Sequence, residues 1–122
     1  MNGRLTTHVL DLSRGIPAAG VVVQLRKLSD GDYLLLCQAV TNDDGRLHAP
    51  LLDGVGMEVG RYELLFEVGD YFRLTQLEST NGGTELLFLE QIPIRFNIDN
   101  VNGHYHIPLL VAPGGYSTYR GS

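Results

Sequence analysis

The chain has 122 residues, 43% hydrophobic and 19% charged, enough for one core without disulfides or a metal and unlike a disordered polar chain. Its formal net charge of -5, with Lys27 the only lysine, gives no electrostatic footprint for nucleic acid or anionic lipid. No window approaches the roughly 18 apolar residues of a membrane span, and residues 1–11 hold no apolar stretch of signal-peptide length, so the expected setting is the cytoplasm.

Fifteen glycines and five prolines spread along the chain predict frequent turns and therefore short strands. Residues 4–10 alternate, with Leu5, Thr7 and Val9 on one face and Thr6, His8 and Leu10 on the other. Residues 11–17 read as a loop, and 20–28 as a second, β-branched strand. Turn chemistry at 29–32 leads into a third strand, 33–41, which ends at Asn42-Asp-Asp-Gly45, so these segments pair antiparallel. Its apolar run holds Cys37, the only cysteine, read as a buried and inert thiol. Residues 61–68 form a fourth strand, and Phe72, Leu74 and Leu77 are spaced for a short helix over 70–78. Residues 92–98 alternate again, and Pro93 near the start means that this strand begins late or lies at a sheet edge. Residues 104–111 and 116–120 follow as strands around Pro113-Gly-Gly115. The sum is an all-β, two-sheet antiparallel sandwich with one short helix, a single domain over 1–122.

Function must then come from individual side chains. Histidine exchanges protons near neutral pH. His8 lies mid-strand on the more polar face, and His104 and His106, two apart on one strand, point to the same side. Read alone, that pair is either a solvated surface pair or part of a metal site, although two histidines do not complete tetrahedral zinc. His48 reads as surface, and so does Arg46 after its turn. The stretch Tyr116-Ser-Thr-Tyr-Arg-Gly-Ser122 is β-compatible to the last residue, which would fix Arg120 and a carboxylate in place. Gly54-Val-Gly56 lacks the third glycine of a nucleotide loop, and no Gly-x-Ser-x-Gly elbow occurs.

Three segments together are more specific than any single histidine. Leu5-Thr-Thr-His-Val-Leu-Asp11 with Gly15-Ile-Pro-Ala-Ala19, then Asp44-Gly-Arg46, then His104-Tyr-His-Ile-Pro-Leu-Leu110 with Tyr119-Arg-Gly-Ser122 resemble the 5-hydroxyisourate hydrolases, the transthyretin-related family. The resemblance spans nearly the whole chain. It implies a transthyretin-like sandwich, a homotetramer with sites between dimers, and hydrolysis of 5-hydroxyisourate without a metal or other cofactor. Carried onto this sequence, it implies His8, Arg46 and His106 as catalytic residues, Ser122, Tyr119 and Arg120 around the substrate, and a structural His104. Transthyretin, a hormone carrier of the same fold, carries other residue types at His8, Arg46 and His106, so a binding module without catalysis is the rival expectation. Residues 84–91 depart from the family, whose members show aromatic and proline residues there.

Overall fold

The computed structural model describes residues 2–75 and 86–122. Among these residues the chain forms β1 (Arg4–Asp11), β2 (Ile16–Pro17), β3 (Val22–Ser29), β4 (Asp32–Val40), β5 (Leu52–Asp53), β6 (Gly60–Phe66), α1 (Val68–Thr75), β7 (Ile92–Ile98), β8 (His104–Ala112) and β9 (Gly115–Thr118). One sheet runs β2-β1-β8-β9, with β5 also on β1, and the other runs β4-β3-β6-β7. The described residues therefore form a two-sheet sandwich with one α-helix.

Period-2 alternation decides which residues lie between the sheets. Leu5, Thr7 and Val9 of β1 face inward, as do Tyr105, Ile107, Leu109 and Val111 of β8, against Val23 and Leu25 of β3 and Tyr62, Leu64 and Phe66 of β6. Burying a leucine or phenylalanine of this set contributes about 1.5–3 kcal/mol. The inward Thr7 is tolerated because its hydroxyl donates to the Ile107 carbonyl oxygen at 2.6 Å. Asp11, fully buried at the end of β1, accepts hydrogen bonds from the Ser13 amide at 2.9 Å and the Tyr71 hydroxyl at 2.7 Å. This ties α1 to the sheet, and burial together with Asp11 pushes the Tyr71 phenol up to about 12.

Several boundaries differ from the alternation pattern. The fourth strand ends at Phe66, and the helix starts at Val68, because Val68, Tyr71 and Phe72 form its buried stripe. Residues 76–78 of the expected helix, and 84–85 of the segment that departs from the family, lie outside the described residues. Farther along that segment Leu87 and Leu89 pack on the core, and Glu90 pairs with Arg73. The expected loop 11–17 contains β2, and β5 is a second two-residue strand too short for periodicity to reveal. Pro93 does lie in an edge strand, β7. At the opposite edge, β4 leaves Leu34, Leu35 and Leu36 about half exposed. Cys37 is half-buried there, its thiol 3.8 Å from the Leu51 carbonyl oxygen and pushed up by burial, as suits an inert thiol.

One pairing in the otherwise antiparallel sheets runs parallel: β1 with β8, in the register Arg4↔His104, Thr6↔His106 and His8↔Pro108. The free side of β1 is shared by β5 near Leu5, β2 near Leu10, and an isolated antiparallel bridge between His8 and Arg46. The bridge depends on Gly45, whose φ is +72° and whose carbonyl oxygen accepts the Val9 amide at 2.8 Å. A Cβ on Gly45 would lie 2.4 Å from the Val9 carbonyl oxygen. Gly45→Ala is thus expected to cost about 1–3 kcal/mol for the left-handed backbone alone, with the clash in addition. A urea midpoint equal to that of the wild type would contradict this account of the turn.

Candidate active site

The outward residues of β1 and β8 build a second feature on the sheet's open face. β1 sits between the segment that carries Arg46 and the strand that carries His106. Beyond β8, Gly121 bridges His106, its amide donating to the His106 carbonyl oxygen at 2.7 Å. Arg46, His8, His106 and Gly121 thereby sit on four neighbouring segments of backbone, with His8 and His106 offset by two residues in the β1–β8 register. A Cβ on Gly121 would stand 2.8 Å from His106 Cδ2, so only glycine lets the C-terminal segment approach the ring this closely.

His8 and His106 are 98 residues apart in sequence, yet His8 Nδ1 lies 2.8 Å from His106 Nε2. Their rings stack with centroids 4.9 Å apart. His106 Nδ1 is 2.7 Å from Thr6 Oγ1, so both ring nitrogens of His106 are engaged. Among the described residues, His8 Nε2 is the ring nitrogen of the pair without a protein partner. Burial, then the charges of His8, Arg46 and His104, hold His106 down at about 4, and burial followed by Arg46 lowers His8. Both imidazoles are therefore neutral at pH 7, one able to accept a proton and the other to orient it.

Arg46 supplies the charge. Asn42 shapes its turn by accepting the amides of Asp44 and Arg46 on Oδ1, at 2.9 and 3.1 Å. The guanidinium is exposed and, among the described residues, forms no ion pair. A cation in that state beside two neutral imidazoles is available to an anion or to a developing oxyanion.

These residues line a cleft of about 370 Å³ with Tyr119, Arg120, Gly121 and Ser122. The structure thus brings together all six side chains singled out in the sequence. Arg120 differs from the others in direction. Its guanidinium stacks on the Tyr105 ring at 4.1 Å and donates to the His104 carbonyl oxygen at 3.3 Å, which ties the segment down. His48 is exposed and does not line the cleft. His104 does share the outer face with His106, as their spacing predicts, with ring centroids 6.2 Å apart. Among the described residues no group of three His, Cys, Asp or Glu is placed to hold a metal. Thr6 and Gly121 are the participants that residue-by-residue reading passes over. Thr6 had one usable signal, its place on the same alternating face as His8.

Residues 5–121 match the HIUase/Transthyretin family. The chain belongs to that family. A 5-hydroxyisourate hydrolase of Halalkalibacterium halodurans is 58% identical over 100% of both chains. Among solved structures, (S)-allantoin synthase superposes with a TM-score of 0.88 at 45% identity, over 99% of this chain and 44% of that longer one. Sea bream transthyretin in complex with thyroxine superposes with a TM-score of 0.81 at 25% identity, over 97% of this chain and 94% of that one. No helix among the described residues is long and apolar enough to cross a membrane.

The low proton affinity of His106 sets a sign. Unfolded, the ring takes up a proton near 6.5; folded, near 4, so stability is full above 6.5 and falls as the pH drops from 6.5 toward 4. Ring-nitrogen NMR should find His106 neutral at pH 5, and a titration midpoint near 6.5 would contradict the buried pair.

Proposed function

We infer that this chain hydrolyses 5-hydroxyisourate to 2-oxo-4-hydroxy-4-carboxy-5-ureidoimidazoline, in urate degradation. That it is a hydrolase follows from relatives so named at up to 58% identity over the full chain. The observation that carries the mechanism is the Arg46 cation, without an ion pair among the described residues, next to a neutral, hydrogen-bonded His8–His106 pair.

The substrate is a flat, oxidised purine whose six-membered ring holds a strained acyl–nitrogen linkage. Opening it requires water to be activated against a carbonyl carbon. His106 spends both nitrogens on Thr6 and His8, so the base is His8 at Nε2, and His106 orients it as the third group of a triad orients a base. Arg46, planar and always charged, stabilises the oxygen that becomes negative as water adds. Ser122 and Tyr119 border the cleft and position the ring, while Arg120 holds their segment against Tyr105.

The cleft is open on the outer face of a sheet, where the register pair Leu10 and Leu110 is also partly exposed. A homotetramer that brings two such faces together, in the cytoplasm, completes the reading, because covering the cleft excludes bulk water and strengthens Arg46. The rival is a carrier that binds without turnover, favoured by the likeness to thyroxine-bound transthyretin.

A single assay separates them. Urate oxidase generates 5-hydroxyisourate from urate in a cuvette, and its ultraviolet decay is followed with and without the protein. The wild type should accelerate the decay. Arg46→Ala should lose about 10²-fold or more, and His8→Gln about 10²–10⁴-fold. Because the base works when neutral and its proton affinity is lowered, the acid limb of kcat/KM should lie below pH 6.5 and move upward in what remains of Arg46→Ala. No acceleration by folded wild-type protein would favour the carrier, and thyroxine binding would then be measured.

A further inference from the structure

The hydroxyl of Thr6 stands between two imidazoles. Oγ1 is 2.7 Å from Nδ1 of buried His106 and 3.0 Å from Nε2 of exposed His104. With the 2.8 Å contact between His106 Nε2 and His8 Nδ1, this makes three consecutive hydrogen bonds from the cleft to the protein surface. The parallel register fixes the spacing, since Thr6 lies level with His106 and one pleat from His104.

A hydroxyl carries one proton and a neutral imidazole one N–H, so a neutral chain of this kind has only two ordered states. In the outward state His8 Nδ1–H donates to His106 Nε2, His106 Nδ1–H donates to Thr6 Oγ1, and the Thr6 hydroxyl donates to His104 Nε2. His8 Nε2 then holds a lone pair, as a base requires. In the inward state every donor and acceptor is exchanged, and His8 Nε2 carries the proton.

We propose that Thr6 and His104 complete a proton wire linking His8 in the cleft to bulk solvent. This rests on the hydrolase reading of the same site. As water adds to the carbonyl carbon, its proton binds His8 Nε2. The His8 Nδ1 proton passes to His106 Nε2, the His106 Nδ1 proton to Thr6 Oγ1, and the Thr6 proton to His104 Nε2. His104 releases its Nδ1 proton to solvent, so one proton enters, one leaves, and the chain rests in the inward state. When the carbon–nitrogen bond breaks, His8 Nε2–H protonates the leaving nitrogen. Protons then step back along the wire from His104, which takes one from water at Nδ1, and the outward state returns. No oxidant or reductant takes part, and the net proton of hydrolysis comes from ionisation of the new carboxylic acid.

The surroundings suit a wire better than a store. Arg46 faces the cleft end, and Arg4 and Arg120 flank His104. Burial and these cations lower the proton affinity of all three histidines, so a proton arriving at any of them is driven onward.

Thr6→Val keeps the shape of the side chain and removes the hydroxyl, while Thr6→Ser keeps the hydroxyl. With the cuvette assay, Thr6→Val should lower kcat about tenfold or more with little change in KM, and Thr6→Ser should restore most of it. His104→Ala, on the exposed face, should lose kcat in dilute buffer and regain it with added imidazole. Ring-nitrogen NMR should show an ordered His106 tautomer in the wild type and in Thr6→Ser that is lost in Thr6→Val. Undiminished kcat in Thr6→Val, or in His104→Ala at low buffer if the valine variant does not fold, would overturn the wire while leaving the hydrolase intact. Wild-type protein without turnover would overturn both.

Discussion

Two imidazoles joined nitrogen to nitrogen at 2.8 Å share a single proton on the line between them. One ring must donate and the other accept, and each choice is passed to the far nitrogen of the same ring. This constraint organises the outer face of the sheet. It leaves His8 Nε2 as the group of the pair open to a ligand, and it makes the hydroxyl of Thr6 consequential for a ring on the other side of His106. Burial first, and then the neighbouring charges including Arg46, make protonation of the pair unfavourable, so the neutral form persists where free histidine would begin to protonate.

The scaffold holds this arrangement on the outward face, with Tyr105 the core residue that also steadies it, through Arg120. The inward faces of β1 and β8 are spent on packing, and the residues between them, pointing the other way, are free to carry chemistry. Two glycines allow the approach of the outlying segments, Gly45 by its left-handed backbone and Gly121 by leaving room for the His106 ring. The likeness to a thyroxine-bound transthyretin at 25% identity illustrates that such a sandwich accommodates more than one role.

Much of the fold was legible because strands of seven to nine residues leave strong local signals: alternation in β1 and β7, β-branched residues in β3, and turn residues bounding β4 and β8. Alternation says which face a residue takes but nothing about which strand lies alongside. The parallel pairing of β1 with β8, and hence the meeting of His8 with His106, was not readable from periodicity. The outward direction of both histidines was. Arg46 looked like an ordinary turn residue because its importance comes from a bridge made by two residues, beyond the reach of any pattern. Thr6 escaped notice because a threonine on a strand is commonplace, and its hydroxyl gains meaning only from rings contributed 98 and 100 residues later.

The pairing of β1 with β8 also governs the order of events during synthesis. The sheet of β3, β4, β6 and β7 is complete in sequence by residue 98, and its antiparallel neighbours can begin to pair as they leave the ribosome. β1, made before those strands, has among the described residues only two-residue strand partners until His104–Ala112 arrives. Its apolar face must wait, and the closing contact spans almost the entire chain, a topology that favours slow final docking. The nascent protein therefore acquires most of this architecture before the candidate site, which is completed only when Gly121 comes to lie against His106.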